Sequence, residues 1–239
     1  MGKSEIKIIS MKASKTKKNA VVVGATGNIG KAVVKRLSQE GYSIDKTWLA
    51  SNHPDVRSES SYNALPKKIH LAVYLAGITH SDATEELTEE KWDEVMDINL
   101  KGAFLFAKAA FPAMKAAGQS AFIAMSSINA THPYPRRVAY AASKAGIEGM
   151  IRELAIEWGM HGIATHGIRL GHLSAVMNSS IMNSKALAAV KEKTPSGKLI
   201  PPEAVASYIA WLAEGNSQYV SGSIIDFDPA YVINRNPLL

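Results

Sequence analysis

The residues best suited to do chemistry are a tyrosine and a lysine in the segment Tyr140-Ala-Ala-Ser-Lys144. On a helix, this spacing places the phenol and the ammonium one turn apart on the same face. A tyrosine ionises near pH 10 in water, and a nearby ammonium favours the phenolate and lowers that pKa. The pair can therefore act as a general acid and base near neutral pH. Tyr42-Ser-Ile-Asp-Lys46 has the same spacing but follows Gly41 at the predicted end of a helix and lacks polar partners.

Two polar residues upstream can complete this pair. Ser127 follows the apolar run Phe122–Met125 and Ser126, and it lies 13 residues before Tyr140. This is the carboxyl end of a predicted strand, the edge at which open α/β sheets bind ligands. The Ser127 hydroxyl can hydrogen-bond a substrate oxygen while Tyr140 transfers a proton to it. Further upstream, Asn99 places an amide side chain between two predicted helical stretches.

A glycine-rich turn follows the first apolar run, Ala20-Val-Val-Val23. Gly24, Gly27 and Gly30 occupy the point where a strand must turn sharply into a helix. Such a turn brings backbone N–H groups and the positive end of the helix close to a pyrophosphate, which is typical of dinucleotide binding. A glycine-rich loop that serves packing alone is the alternative. No Lys-Ser/Thr pair closes the motif, so it is not a P-loop.

Short apolar runs alternate with helical stretches along the chain and must hold these residues in place. Strands are predicted at Ala20–Val23, Ile44–Ala50, Ile69–Leu75, Phe122–Met125, Ile163–Ile168 and Ile224–Phe227, and helices at Lys31–Gln39, Thr88–Asn99, Lys101–Ala117, Ala139–Met160 and Pro202–Ala213. Strands separated by helices of this length predict an α/β fold, a doubly wound parallel sheet with helices on both faces. We find no internal repeat and no interior linker, so we expect a single domain.

Composition narrows the function classes. Of the formal charge of +6, residues 1–19 contribute six lysines and one acid, and residues 20–239 are nearly neutral. We therefore predict a basic, disordered tail over 1–19, one domain over 20–239, and no nucleic-acid partner. The chain has no cysteine, and His161, His166 and His172 match no zinc spacing, so we predict no metal site. No apolar run reaches the roughly 18–20 residues of a membrane span, and no secretory signal is evident, which predicts a cytoplasmic protein without a membrane partner.

In this combination and order, the motifs resemble those of the compact, single-domain short-chain dehydrogenase/reductase family over about Ala20–Ala230. The resemblance implies a Rossmann-like fold, a nicotinamide dinucleotide, a homodimer or homotetramer, and a catalytic set of Asn99, Ser127, Tyr140 and Lys144. It implies that Ser127 orients and polarises the carbonyl, Tyr140 is the acid/base, Lys144 lowers the tyrosine pKa and holds the nicotinamide ribose, and Asn99 supports a water in the proton relay. The dinucleotide is expected to contact Gly24, Thr26, Gly27, Asn28, Ile29, Gly30, Ser51, Asn52, Ala76, Gly77, Tyr140, Lys144, Gly171 and Leu173.

The sequence also departs from the family pattern. Tyr74-Leu75 stands where the family has Asn-Asn, Leu170 stands in place of a proline beside the nicotinamide, and Ala175 occupies the position of a threonine that often binds the carboxamide. Gly24 and Gly77 are only 53 positions apart, which is short for two strands and two helices. We therefore predict a truncated strand or helix near Pro54–Pro66, together with loss of the aspartate that usually contacts adenine.

The end of the second strand determines the choice of dinucleotide, because an acid there binds the ribose 2′-OH and repels a 2′-phosphate. Ser51, Asn52 and His53 follow the predicted strand without an acid, which slightly favours NADP(H) over NAD(H). Asp45 lies about 20 residues past the glycine turn and takes this position if the strand starts earlier.

The predicted function is an NAD(P)(H)-dependent oxidoreductase that interconverts a carbonyl and a secondary alcohol. A 3-oxoacyl thioester, a keto sugar and a small ketone all fit the same catalytic set as small-molecule substrates. The substitutions at Tyr74, Leu170 and Ala175 leave open a dinucleotide-binding regulatory or scaffold protein with little catalysis. An epimerase or dehydratase is a third interpretation, but such relatives usually have a longer C-terminal substrate region.

Overall fold

A six-stranded, entirely parallel sheet forms the centre of the protein. The computed structural model describes residues 17–174 and 184–234. The strands are β1 Asn19–Val23, β2 Ser43–Ile44, β3 Leu71–Tyr74, β4 Ser120–Ser127, β5 Ile163–Leu170 and β6 Ile224–Phe227. Their spatial order is β2-β1-β3-β4-β5-β6. The order reverses beside β1, so the carboxyl ends of β1 and β3 flank the crevice where doubly wound sheets bind ligands.

Helices cover both faces of this sheet, which confirms the predicted fold class. They are α1 Asn28–Gln39, α2 Glu89–Met96, α3 Gly102–Ala117, α4 Val138–Trp158, α5 Ser184–Lys193 and α6 Pro202–Ala213. A π-helical turn over Asp97–Lys101 joins α2 to α3. Gly118, at φ +78, ends α3 in the left-handed conformation that only glycine adopts readily.

The core consists of two apolar layers, one on each face of the sheet. One layer packs Phe106 of α3 and Ile147 of α4 against Phe122 of β4. The other packs Leu37 of α1 and Ile209 of α6 against the opposite face. Because both faces are covered, the central strands are buried along nearly their whole length, as their continuous apolar runs predict.

The predicted second strand, Ile44–Ala50, is wrong. Pairing between β1 and β2 involves only Ser43 and Ile44 of β2. The side chain of Asp45 then accepts a hydrogen bond from the Thr47 amide at 3.0 Å and starts a turn. Trp48 is consequently buried on the α3 and α4 face of the sheet, where its ring stacks on Tyr62 with centroids 5.3 Å apart.

The predicted truncation near Pro54–Pro66 is confirmed, since this stretch contains only a 3₁₀ turn over Glu59–Tyr62. The connection from β2 to β3 therefore fills its face of the sheet with aromatic side chains in place of a strand and a full helix. Asn19, the last residue of the predicted tail, begins β1, and the rest of that tail up to residue 16 lies outside the described residues.

Within the described ranges, no helix combines the length and apolar character needed to cross a membrane. The same ranges contain no group of three or more histidine, aspartate or glutamate side chains arranged to hold a metal ion.

Candidate active site

The polar residues singled out in the sequence lie at the carboxyl edge of the sheet. β4 ends at Ser127, β5 ends at Leu170 just before Gly171, and the chain after β3 runs through Gly77. α4 begins at Val138, so Tyr140 lies in its first turn and Lys144 one turn further along. Parallel strands bring their carboxyl ends to one edge, which is why residues far apart in sequence meet here.

The glycine turn packs tightly against β3. Gly24 has φ +85, and a Cβ at this position would lie 2.7 Å from the Ala76 backbone nitrogen. A Cβ at Gly30 would overlap the Gly24 carbonyl oxygen and lie 2.6 Å from the Ala25 Cα. These two glycines are therefore required for packing whether or not a ligand binds.

The remaining part of the turn is suited to hold a pyrophosphate. Gly27 is the N-cap of α1, has an extended backbone, and contributes no side-chain cap. The first N–H groups of α1, from Asn28 to Gly30, thus lack the partner that a capping serine or aspartate would supply. Together with the positive end of the helix, they form a binding position for an anion. Thr26 lies half-buried beside them.

Tyr140 is half-buried, and three features of its surroundings act on its hydroxyl. Burial raises the pKa of Tyr140 above its ordinary value, while a hydrogen bond with the Ser127 side chain and the positive charge of Arg137 both lower it. The net direction is upward, so the phenol holds its proton at neutral pH. Ser127 also accepts hydrogen bonds from the Asn129 backbone and side-chain nitrogens, each at 3.2 Å, which fixes its hydroxyl oxygen.

Lys144 is almost completely buried, with 4% of its surface exposed. Its Nζ donates to the Met125 carbonyl at 2.8 Å and lies 5.6 Å from the centroid of the Tyr140 ring. Burial lowers the pKa of Lys144 to about 8, so the side chain is mostly charged at neutral pH. The groups that lower the Tyr140 pKa are Ser127 and Arg137. The effect of Lys144 on this pKa, which the family resemblance implied, stays a prediction.

Asn99 holds the segment that follows β3. It is completely buried inside the π-helical turn. Its Oδ1 accepts from the Ile78 amide at 2.8 Å, and its Nδ2 donates to the Ile78 carbonyl and to the Ser143 hydroxyl, both at 3.0 Å. A Cβ on Gly77 would lie 3.2 Å from Asn99 Oδ1 and 3.4 Å from Lys144 Nζ. Asn99 is therefore a positioning residue here, and its support of a water stays a prediction.

Tyr74, which stands where the family has an asparagine, holds the π-helical turn by a hydrogen bond. Its hydroxyl donates to the Ile98 carbonyl at 2.5 Å, within the π-helical turn. A side chain on Gly102 would overlap this hydroxyl, so the glycine makes room for it. A side chain from β3 thus fixes the turn that carries Asn99.

Two cavities meet at Ser127 and Tyr140. One, of about 550 Å³, extends from the glycine turn and contacts Ile29, Gly77, Lys144, Gly171 and Leu173. The other, of about 590 Å³, lies on the opposite side of Tyr140 beneath α5. Ser127, Tyr140, Leu170 and Gly171 line both cavities. The first cavity has the position of a dinucleotide site, and the second has the position of a substrate pocket.

Not every predicted contact residue lies at these cavities. Ser51 and Asn52 occupy an exposed turn beyond the end of β2, and neither lines either cavity. Leu173 is held in place by a parallel β-bridge to Ile200, which lies between α5 and α6. Ala175 lies outside the described residues.

Sequence reasoning missed several residues of the second cavity. Arg137 donates to the Thr79 hydroxyl at 2.7 Å, and both side chains line this cavity. Its position three residues before Tyr140 was the available signal. The Tyr134 hydroxyl hydrogen-bonds the Tyr231 hydroxyl at 2.5 Å and His172 Nε2 at 3.1 Å, and no sequence pattern indicates this cluster.

Comparison with known proteins settles the family. Residues 53–230 match a family profile described as enoyl-(acyl carrier protein) reductase, adh_short_C2. The (3R)-3-hydroxyacyl-CoA dehydrogenase of Homo sapiens is 30% identical, over 87% of this chain and 92% of its own. The chain belongs to the short-chain dehydrogenase/reductase family. Like other members of this family, it is an oxidoreductase that acts on CH–OH and C=O groups and uses an NAD(P) cofactor.

Two further relatives of this short-chain dehydrogenase/reductase match over most of their length. The 3-oxoacyl-[acyl-carrier-protein] reductase of Rickettsia felis is 29% identical, over 88% of this chain and 95% of its own. The crystal structure of a putative gluconate dehydrogenase from Agrobacterium tumefaciens superposes with a TM-score of 0.82 at 26% identity, covering 90% of this chain and 96% of that one.

Proposed function

We propose that the protein reduces a small carbonyl substrate, or oxidises the corresponding secondary alcohol, at the junction of the two cavities. The observation that carries this proposal is that Ser127 and Tyr140 line both the cavity beside the glycine turn and the cavity beneath α5. A substrate carbonyl at this junction lies between a nucleotide and two hydroxyl groups. The regulatory or scaffold alternative gains no support from the site.

The chain's own residues prepare the proton transfer. Ser127 donates a hydrogen bond to the substrate oxygen and holds the carbonyl toward Tyr140. Because the pKa of Tyr140 is raised, the phenol is protonated at neutral pH and supplies its proton to that oxygen during reduction. The charged Lys144, one turn along α4, stabilises the phenolate that remains. Gly24–Gly30 and Gly77 would hold the dinucleotide, which when bound would supply the hydride.

We further propose NAD(H) as the dinucleotide. The slight preference for NADP(H) depended on a second strand ending near Ser51. In the structure, β2 ends at Ile44, so Asp45 is the first residue after it. One Asp45 oxygen accepts from Thr47, which leaves the other for a ribose hydroxyl. Arg57, the first cation after this turn, forms an ion pair with Asp55 at 2.7 Å and so already has an anionic partner in place of a 2′-phosphate.

Dinucleotide titration tests this choice. The wild type should bind NADH more tightly than NADPH, and Asp45→Ser should shift the ratio toward NADPH by about tenfold or more, since the repulsion of the 2′-phosphate is removed. Tighter binding of NADPH by the wild type, with no change in Asp45→Ser, would reject this part of the proposal.

We also propose a homo-oligomer, formed through α3 and α4. Ile156 and Met160 are 77% and 85% exposed, and Phe104 is 50% exposed beside a groove between these helices. Large apolar side chains that are this exposed on neighbouring elements mark an association surface. Sedimentation should give a dimer or tetramer mass, and Ile156→Lys should reduce it. A monomeric wild type contradicts this part.

A carbonyl panel tests the function itself. The panel contains acetoacetyl-CoA, short 2- and 3-oxo acids with their esters, a keto sugar and a cyclic ketone, each with NADH and with NADPH. Oxidation of the dinucleotide by at least one member supports the proposal. Tight dinucleotide binding measured by calorimetry, without turnover of any panel member in either direction, supports the regulatory alternative instead.

A further inference from the structure

We propose that the substrate carries a carboxylate close to its reactive carbonyl, and that Arg137 binds this carboxylate. The inference rests on the proposed function and specifies its substrate class as oxo acids and the corresponding hydroxy acids. Lys193, which lines the same cavity, provides a second positive charge.

Among the arginines that the structure describes, Arg137 alone lacks a carboxylate partner. The described residues contain six arginines, and five of them have a carboxylate oxygen within 4.0 Å. Arg137, the sixth, has only the hydrogen bond from Nη1 to the Thr79 hydroxyl. A guanidinium has five N–H donors in a planar fork that matches a carboxylate. Most donors of Arg137 are therefore available to a ligand.

The neighbouring Arg136 does have a carboxylate partner, so the unpaired guanidinium is specific to position 137. Arg136 donates to the Ser81 carbonyl at 3.2 Å and to Glu86 at 3.4 Å, and it does not line the cavity. Arg137 is half-buried and faces the cavity beside Tyr140. Two adjacent arginines thus have different surroundings, which provides a matched control.

The cavity has a positive lining. Arg137 and Lys193 supply this charge, whereas burial lowers the pKa of His172 and keeps its ring uncharged at neutral pH. No aspartate or glutamate lines the cavity among the described residues. Lys193 Nζ lies 4.6 Å from the centroid of the Tyr231 ring. A cavity lined by one sign of charge concentrates ligands of the opposite sign.

The distance between Arg137 and Tyr140 indicates how far the carboxylate lies from the carbonyl. Arg137 is the N-cap of α4, three residues before Tyr140, and both side chains line the same cavity. Arg137 is also close enough for its charge to act on the Tyr140 hydroxyl. An anion on Arg137 therefore lies only a few bonds from a carbonyl hydrogen-bonded to Tyr140. A 2-oxo or 3-oxo acid fits this separation, whereas the phosphates of a coenzyme A thioester lie many bonds away.

Matched substrate pairs test the inference. Acetoacetate and methyl acetoacetate share the reactive carbonyl and differ in charge. In the second pair, levulinate and methyl levulinate, the carboxylate or ester lies one carbon further from the reactive carbonyl. The ratio of kcat/KM for acid over ester should fall about tenfold to a hundredfold in Arg137→Gln, mainly through KM, because a charge-assisted hydrogen bond is lost. Arg137→Lys should retain part of the preference for the acid over the ester, and Arg136→Gln should leave this preference unchanged.

Direct binding provides a readout that does not depend on turnover. Calorimetric titration of 3-hydroxybutyrate into the protein with its dinucleotide should show binding that Arg137→Gln weakens by a similar factor and Arg136→Gln does not. Equal loss for the acid and the ester, or no binding of the hydroxy acid by the wild type, overturns the inference and leaves the proposed function intact.

A pair of thioesters tests whether Arg137 binds the phosphates of coenzyme A instead of a carboxylate. If Arg137→Gln impairs acetoacetyl-CoA but not the uncharged N-acetylcysteamine thioester, the cations bind a phosphate, and the carboxylate assignment is wrong. If neither acids, esters nor thioesters are reduced by any variant, the proposed function fails, and hydroxy acid binding alone then decides whether Arg137 holds a carboxylate.

Discussion

Burial of Lys144 predicts a stability that rises with pH in the alkaline range. The unfolded chain holds the lysine proton up to its ordinary pKa of 10.5, whereas the folded protein holds it only to about 8. Between these values the unfolded state binds more protons, so the free energy of unfolding increases as the pH rises. The cause is the loss of hydration around Nζ, which the single hydrogen bond to Met125 replaces only in part.

The magnitude follows from the pKa shift. One pKa unit corresponds to about 1.4 kcal/mol, so the full effect is roughly 3 kcal/mol, of which about 2 kcal/mol develops between about pH 7 and pH 9.5. Lys144→Met removes the titrating group and keeps a side chain of similar length. Urea unfolding of both proteins across this range, before the dinucleotide is added, measures the difference.

The free energy of unfolding of the wild type should therefore rise by about 2 kcal/mol relative to that of Lys144→Met between about pH 7 and pH 9.5. Other titrating groups, including the buried tyrosines Tyr62 and Tyr74, are common to both proteins and cancel in the difference. A difference between the two free energies of unfolding that changes by less than about 0.5 kcal/mol over the whole pH range would refute the reasoning. In that case, the Lys144 ammonium is adequately solvated in the folded protein.

Two substitutions test the packing that shapes the site. Gly30→Ala places a Cβ 2.6 Å from the Ala25 Cα and should cost about 1–3 kcal/mol in urea unfolding and weaken dinucleotide binding, whereas Gly149→Ala, with no atom within 4 Å, should be neutral or stabilise by up to about 1 kcal/mol. Equal effects of the two alanines contradict the packing assignment. Tyr74→Phe removes the bond to the π-helical turn and should cost about 1 kcal/mol in stability and lower kcat more than it changes KM. An unchanged kcat would show that this bond does not support the active site.

The sequence predicted the elements whose signals are local. α6 and β6 have the predicted bounds, because Pro202 starts the helix and an apolar run bounded by turn residues defines the strand. β2 was not predictable from the apolar pattern, since Trp48 is buried by a turn and a ring stack rather than by strand pairing. That turn begins at Asp45, whose side chain accepts a hydrogen bond from the Thr47 amide. Hydrophobic periodicity cannot predict such a polar contact.

The site shows the same division. Ser127, Tyr140 and Lys144 were predicted from spacing and from their positions at element ends, and the structure brings all three to one cavity. The π-helical turn around Asn99 depends on the long-range bond from Tyr74, which no local rule supplies. The importance of Arg137 emerges only when it is compared with the other five arginines that the structure describes, each of which has a carboxylate partner. That comparison needs three-dimensional positions.

The most direct test of the central claim is the turnover of Tyr140→Phe on the best substrate of the carbonyl panel. The variant loses only the hydroxyl, so its dinucleotide affinity should stay within about threefold of the wild type. Its kcat should fall by at least about a hundredfold, because no other group donates the proton to the substrate oxygen. Turnover within about tenfold of the wild type, at unchanged dinucleotide affinity, would contradict the assignment of Tyr140 as the catalytic acid and base.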